Sequence, residues 1–354
     1  MIFHLAQQLQ SQWSFLNLFH YISVRAIAAL LSSLACGFLL GDWFIKTSQK
    51  NFRSNVREDT PETHTKKNNT PTMGGLFILM IFFINTFLWN NLYKIEVWLF
   101  VLCLALFGII GFLDDWKKIH KQKGISARAK FLMQLGSGAL VMLGWYFLTD
   151  SNTQLCIPFF KDFNPVLGLF IIPWGMLLMT ATSNAVNLTD GLDGLATGPL
   201  LFNFSAYSII AYLAGHKLFA TYLNIPFTAT SELTICGASL IGALLSFLWY
   251  NTYPAQIFMG DVGSLALGAG LAFMALMTRQ ELLLPIAGGI FVAETLSVIL
   301  QVFSFKMWKR RIFRMAPIHH HFELMGWNEA KITVRFWIIS MVLSLITLFL
   351  LKIR

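Results

Sequence analysis

Residues 97–113 read VWLFVLCLALFGIIGFL, seventeen positions without a charge, and the chain then turns polar at once as Asp114-Asp115-Trp116-Lys117-Lys118. A run of this length and uniformity is too long for a buried strand and suits a helix crossing a bilayer. The pattern repeats. Apolar runs at 21–45, 73–89, 97–113, 131–148, 166–181, 200–214, 233–249, 262–277, 282–305 and 332–351 predict an all-α polytopic membrane protein of about ten transmembrane helices.

Composition supports this. Of the 354 residues 56% are hydrophobic and 12% charged, against roughly 45–50% and 25% in soluble domains. Disorder, collagen, coiled coil and a soluble globule are all excluded. The net charge of +9 does not require nucleic acid, because Lys and Arg collect beside the anionic cytoplasmic leaflet of membrane proteins. Cys36, Cys103 and Cys236 fall inside apolar runs and Cys156 in a connecting segment, so neither a disulfide framework nor a cysteine-based zinc site is expected. Residues 1–20 carry no Lys or Arg and read as an amphipathic external lead-in rather than a cleavable signal peptide.

Charge also gives an orientation. In or beside the loops after the first, third and ninth runs lie 19 of the 26 Lys and Arg residues. Odd-numbered loops (46–72, 114–130, 182–199, 250–261 and 306–331) are therefore expected in the cytoplasm and both termini outside. No repeat, low-complexity tract or soluble domain interrupts the chain, which reads as one integral membrane domain over 1–354 with its function in loops and helix ends.

Five constellations fall in those five loops. Asp114 and Asp115 end an apolar run, where paired carboxylates repel and are costly to desolvate; a single Asp there would be a plain interface marker. In NAVNLTDGLDGL, Asn184, Asn187, Asp190 and Asp193 recur every three residues along one helical side, able to hold a hydrated metal or polar ligand, or simply to cap a loop. In NTYPAQIFMGDVGS, opened by Asn251, Asp261 stands between glycines at a helix start, unremarkable as a cap but weighty beside the other carboxylates. TPTMGG at 70–75, behind Lys66 and Lys67, places hydroxyls and small residues at a helix N-terminus, as a phosphate site or a packing device. In MAPIHHHFE, the adjacent His319, His320 and His321 ill suit one zinc ion and better suit hydrogen bonds to phosphate. Glu294, deep in the ninth run, is expected to be structural, held by Thr295, Ser297 or a neighbouring span. A cleft on the cytoplasmic face, rich in Asp and Asn and rimmed by Lys and His, calls for a hard, oxygen-liganded cation such as Mg2+ and for phosphoryl transfer.

In this order TPTMGG, LDD, NxxNxxDGLDGL, FMGDVGS and PIHHHFE resemble the phospho-N-acetylmuramoyl-pentapeptide-transferase family, within the polyprenyl-phosphate N-acetylhexosamine-1-phosphate transferases. The resemblance runs from about Arg53 to the C-terminus. It implies a bacterial inner-membrane enzyme that transfers phospho-MurNAc-pentapeptide from its UDP carrier to undecaprenyl phosphate, giving lipid I and UMP. It also implies Mg2+ as cofactor, ten spans with external termini, and a homodimer. It puts Asp114, Asp115, Asp261 and His319 in catalysis, with Asp261, Asp114 and Asp115 at the metal. Lys67, Thr72, Lys118 and Lys130 would meet phosphates, and Asn187, Asp190, Asp193 and Asn251 would line the substrate site. Phe258 would stack on uracil, with His320 and His321 at the sugar-phosphate or peptide edge. Asn69 stands where the family usually has Gly; Asn tolerates left-handed backbone well.

Two alternatives are weighed against this. A relative using UDP-N-acetylglucosamine shares the chemistry but carries a different histidine motif. A transporter or flippase would place ionisable groups along a mid-membrane path, whereas Glu294 alone lies there.

Overall fold

The computed structural model describes residues 1–52, 70–121, 123–149, 152–158, 160 and 163–353. It is helical, with one isolated antiparallel bridge, Gln154 to Val166, among the described residues. Among the described residues, eight helices are long and apolar enough to cross a membrane: α2 (Ile22–Asn51), α4 (Ile95–Lys121), α5 (Ala127–Leu148), α6 (Ile171–Thr189), α9 (Glu232–Asn251), α10 (Gly260–Met277), α12 (Gly289–Trp308) and α14 (Glu329–Leu350). α3 (Gly74–Trp89) is apolar but shorter, and α7 (Thr197–Ala214) packs among them. Short helices complete the set: α1 (Ile2–Leu9), α8 (Lys217–Leu223), α11 (Leu284–Ala287) and α13 (Ile318–Glu323).

α9 and α10 form the core. α10 is buried along nearly its whole length against α4, α6 and α3, and α9 sits between α2, α7 and α3. Outward faces carry Leu39, Phe147, Trp249 and Phe349 exposed. Apolar surface on this scale is tolerated by lipid and not by water, so the chain is a multi-pass membrane protein. α1 is amphipathic and turns Phe3 and Ala6 inward.

Several boundaries differ from the sequence reading: α2 runs on from 45 to Asn51, and α6 spans Ile171–Thr189 rather than 166–181, so much of the expected 182–199 loop is helix. α4 does not stop at Asp114 but continues to Lys121. Lys118 lies one turn on from Asp114 with its Nζ 2.8 Å from the carboxylate, and cations suit a helix C-terminus, so the charges prolong the helix. The ninth apolar run is not one helix. Pro285 opens the four-residue α11, and α12 starts afresh after Gly288; a proline inside a helix removes a backbone donor and clashes with the preceding turn.

Candidate active site

One end of the bundle gathers the C-terminal ends of α4 and α6, the start of α5, the N-termini of α3 and α10, and α13. Close backbone packing makes the meeting possible. A Cβ on Gly111 of α4 would lie 2.2 Å from the Asp261 carbonyl oxygen, so only glycine lets α4 approach the first turn of α10. Gly260 is left-handed at φ 73°, and a Cβ there would meet Asp115 Oδ2 at 2.6 Å and Thr72 Oγ1 at 2.9 Å. That approach fixes Asp115 and Thr72 beside the start of α10. The TPTMGG segment is stitched on by backbone bonds: Phe258 N–H donates to Pro71 O (2.9 Å), while Gly74 and Gly75 N–H donate to Phe258 O and Met259 O (both 2.8 Å).

The carboxylates form a cluster bridged by two lysines. Lys118 Nζ lies 2.8 Å from Asp114 Oδ2 and 2.8 Å from Asp261 Oδ2, with Asp115 Oδ1 at 3.4 Å. Lys130 Nζ lies 2.5 Å from Asp261 Oδ2 and 3.2 Å from Asp114 Oδ2. Backbone donors hold the far sides: Ile125 N–H to Asp114 Oδ1 at 2.6 Å and Val262 N–H to Asp115 Oδ2 at 3.3 Å. Asn187 Nδ2 donates to Asp261 Oδ1 (2.9 Å) and to Ser264 Oγ (2.8 Å). Asp190, just past the end of α6, accepts from the Gly260 N–H. Burial, then the charges of Asp261 and Asp115, push its carboxyl up to about 7.

The NAVNLTDGLDGL stripe divides. Asn187 reaches Asp261 and Asp190 the neighbouring Gly260 N–H, but Asn184 Nδ2 donates to Gln134 Oε1 of α5 (2.8 Å) and to Thr180 O (2.8 Å). Asp193 faces the 250–259 loop: its Oδ2 accepts from Ala255 N–H at 3.0 Å, and its own N–H donates to Glu329 Oε1 at 2.8 Å. Asn251 spends both ends of its amide inside the protein, donating to Ile257 O (2.9 Å) and accepting from Thr197 Oγ1 (2.8 Å). Phe258 is half-buried beside the start of α10. Lys66, Lys67 and Asn69 lie outside the described residues.

The histidines part company as well. His319 is buried, its Nδ1 3.1 Å from Glu294 Oε1 of α12. That corrects the expected partner of Glu294, since Thr295 and Ser297 donate instead to the backbone oxygens of Phe291 and Glu294. His319 Nε2 points at Gly191, where a Cβ would come within 2.3 Å, which ties α13 to the turn carrying Asp190. His320 Nδ1 lies 2.6 Å from Glu323 Oε2, and His321 Nδ1 accepts from Arg314 N–H at 3.1 Å. The sequence reading missed Ser264, Gln134 and Glu329. Ser264 closes the GDVGS motif and carried a signal; the other two are ordinary polar residues whose role appears only when distant helices pack.

Residues 67–79 match the phospho-N-acetylmuramoyl-pentapeptide-transferase signature 1, and 97–279 match glycosyl transferase family 4. The whole chain aligns with the whole of a phospho-N-acetylmuramoyl-pentapeptide-transferase from Desulfosudis oleivorans at 50% identity. The chain belongs to the phospho-N-acetylmuramoyl-pentapeptide-transferase family. Relatives of the same name from Desulforapulum autotrophicum and Citrifermentans bemidjiense align over their full lengths at 48% and 46%. The family signature covers TPTMGG, the segment stitched to Phe258 and Met259, and family 4 covers Asp114, Asp115 and Asp261.

The donors can be tested against a divalent metal. Asp114, Asp115, Asp190 and Asp261 set four carboxylates, all hard oxygen donors, against two ammonium groups. The charge and donor type fit a cation such as Mg2+. Among the described residues no three His, Cys, Asp or Glu side chains close a metal shell by themselves, so substrate oxygens and water would complete it.

Proposed function

We propose that the chain transfers phospho-MurNAc-pentapeptide from UDP-MurNAc-pentapeptide to undecaprenyl phosphate, giving lipid I and UMP, the first membrane step of peptidoglycan synthesis. The observation that carries this is the pair Lys118 and Lys130 bridging Asp114 to Asp261 at the junction of α4, α5, α6 and α10. Two cations held among surplus carboxylates, at a helix N-terminus, form a place where phosphate oxygens and a divalent cation exchange partners with little rearrangement.

In this reading α2–α7, α9, α10, α12 and α14 are ten spans in the bacterial inner membrane, with both termini outside and the carboxylate end facing the cytoplasm. The concentration of Lys and Arg in odd-numbered loops supports that orientation. Asp261, with Asp114 and Asp115, would hold Mg2+, which when bound would supply positive charge to offset that of the diphosphate. Lys118 and Lys130 leave their carboxylates to bind phosphate oxygens. Asp114, its Oδ1 anchored by the Ile125 N–H, orients the lipid phosphate with its other oxygen. Asn187 and Asp190 line the nucleotide side, Phe258 offers its ring to uracil, and His320 and His321 of α13 face the sugar phosphate, with His319 buried behind them. An oxygen of the lipid phosphate attacks the β-phosphorus of the donor; the bond to the UMP oxygen breaks, and its electron pair leaves with UMP. Direct attack is favoured over a phospho-aspartate, since the acceptor is already an anion and a covalent detour gains little.

Purified protein is to be supplied with undecaprenyl phosphate, Mg2+ and one UDP-sugar at a time, following UMP release and label in an extractable lipid. Product with UDP-MurNAc-pentapeptide alone, lost on chelation, is expected. Product with UDP-N-acetylglucosamine alone would reassign the donor. No product with either from folded protein would remove the reading. Phosphorylated Asp114 or Asp115 trapped without acceptor would replace direct attack.

A further inference from the structure

At the opposite end of the bundle, some 27 Å along α10 at 1.5 Å per residue, lies a cavity of about 540 Å³ that takes no part in the proposed chemistry. The residues that line it include Arg279, Asn152, Gln154, Asn164, Asn224 and Phe227. Three separate loops build it, following α5, α8 and α10. The first is fastened by the Leu155 N–H to Pro165 O (2.9 Å) and Leu167 N–H to Thr153 O (3.0 Å) bonds.

Arg279 is nine-tenths buried, yet its bond to a described residue is a single Nη2 contact to the Asn152 carbonyl at 2.6 Å. A guanidinium has five donors in a planar fork. Burial holds its proton affinity below the usual range, and the nearby Glu281 and Cys156 offset this in part. Asn152 accepts from the Gln154 N–H through its side-chain oxygen (3.1 Å). Lys217 Nζ stands 5.8 Å from the Phe227 ring centroid, adding positive charge at the rim. Ile225, Pro226 and Phe227 make the other side apolar. A buried cation among side-chain amides, beside the apolar Ile225–Phe227 segment at the level where α10 leaves its apolar run, matches a phosphate joined to something greasy.

We propose that this cavity binds a phosphate group, with Arg279 as its charged anchor. A phospholipid headgroup and free phosphate share that chemistry, and the apolar wall of Ile225–Phe227 favours the lipid.

The test titrates the purified full chain in detergent with dihexanoyl phosphatidylglycerol, with inorganic phosphate, and with dihexanoylglycerol as a phosphate-free control, reading the unfolding midpoint. A saturable rise with phosphatidylglycerol is expected, and none with dihexanoylglycerol. The half-saturating concentration should rise at least about tenfold in Arg279→Gln, as loss of one charge-assisted contact implies. Asn224→Asp, at an exposed position where Asp tolerates the left-handed backbone, should weaken binding similarly without threatening the fold. UMP release should be unchanged in both, since neither residue touches the carboxylate end. A response to phosphatidylglycerol alone assigns the site to lipid, and a response to both probes assigns it to phosphate in general. No saturable response in the wild type, an equal one to dihexanoylglycerol, or one undiminished in both variants overturns the proposal.

Discussion

The molecule buries charge at both ends, in opposite ways. At the end remote from the carboxylates, Arg25 of α2 and Glu232 of α9 form a closed pair: Nη2 to Oε1 at 2.7 Å and Nη1 to Oε2 at 2.9 Å. The Asn91 N–H donates to the same carboxylate at 2.9 Å, and Phe3 covers the guanidinium 4.2 Å from its ring centroid. One charge meets one charge, in a fork that fits. At the other end Lys118 and Lys130 are shared among Asp114, Asp115 and Asp261, with Asp190 adding a further carboxylate. A balanced pair locks helices together; an unbalanced cluster holds repulsion that a cationic or phosphorylated ligand can relieve.

The comparison breaks most easily at the closed pair. Arg25→Met leaves Glu232 buried and uncompensated, and should cost about 3–5 kcal/mol of stability. The double variant Arg25→Met/Glu232→Leu should regain most of that loss, because both charges are gone. Thermal unfolding in one fixed detergent measures both, and the surviving folded protein should release UMP at the wild-type rate. A single variant that unfolds like the wild type would show that the pair holds nothing.

At the unbalanced end the effect should move from stability to rate. Asp261→Asn keeps an acceptor for Asn187 but removes the charge that both lysines contact. Turnover at saturating Mg2+ should fall roughly 10²–10³-fold, with the unfolding midpoint near that of the wild type. Activity retained at saturating Mg2+ would take Asp261 out of the proposed metal site.

Both ends were unequally legible in the sequence. Apolar runs and polar breaks announce the helices, because a bilayer demands long uncharged segments, and the Asp-bearing motifs announce the reactive end, because carboxylates are rare elsewhere in the chain. The Arg25–Glu232 pair is invisible: its partners stand 207 positions apart, and nothing local distinguishes either. The NAVNLTDGLDGL stripe is legible as a group but not in its division, since helical rotation sends Asn184 toward α5 while Asn187 turns toward Asp261. The continuation of α4 is hidden for a related reason, as charges that look like a boundary form the ion pair that extends the helix.

A smaller effect is expected where the two kinds of burial come closest, at Glu294 and His319. Like Arg25–Glu232 this is a single buried pair, but it stands 3.1 Å apart, and neither side chain makes a well-aligned hydrogen bond to a described residue. Glu294→Gln should let the imidazole shift against Gly191 and lower kcat by up to roughly 10²-fold. KM for the UDP-sugar should change little, with no loss of stability on the Arg25 scale. Destabilisation of that size would class the pair with the structural end instead.

The finest distinction is carried by Asp115. Its Oδ2 accepts the Val262 N–H and faces Gly260, while its charge adds to that of Asp261 and Asp190. Asparagine keeps the shape and the acceptor for Val262 and removes the repulsion. Asp115→Asn should therefore raise the unfolding free energy by about 1 kcal/mol, the scale on which a single perturbed ionisation acts, while UMP release falls. A gain in stability bought with lost turnover is what a cluster assembled for a ligand should give. At Glu232 the equivalent change, Glu232→Gln, strands Arg25 and can only destabilise. If Asp115→Asn destabilised too, the carboxylate would be a packing element like Glu232, and the surplus negative charge ascribed to this end would shrink by one.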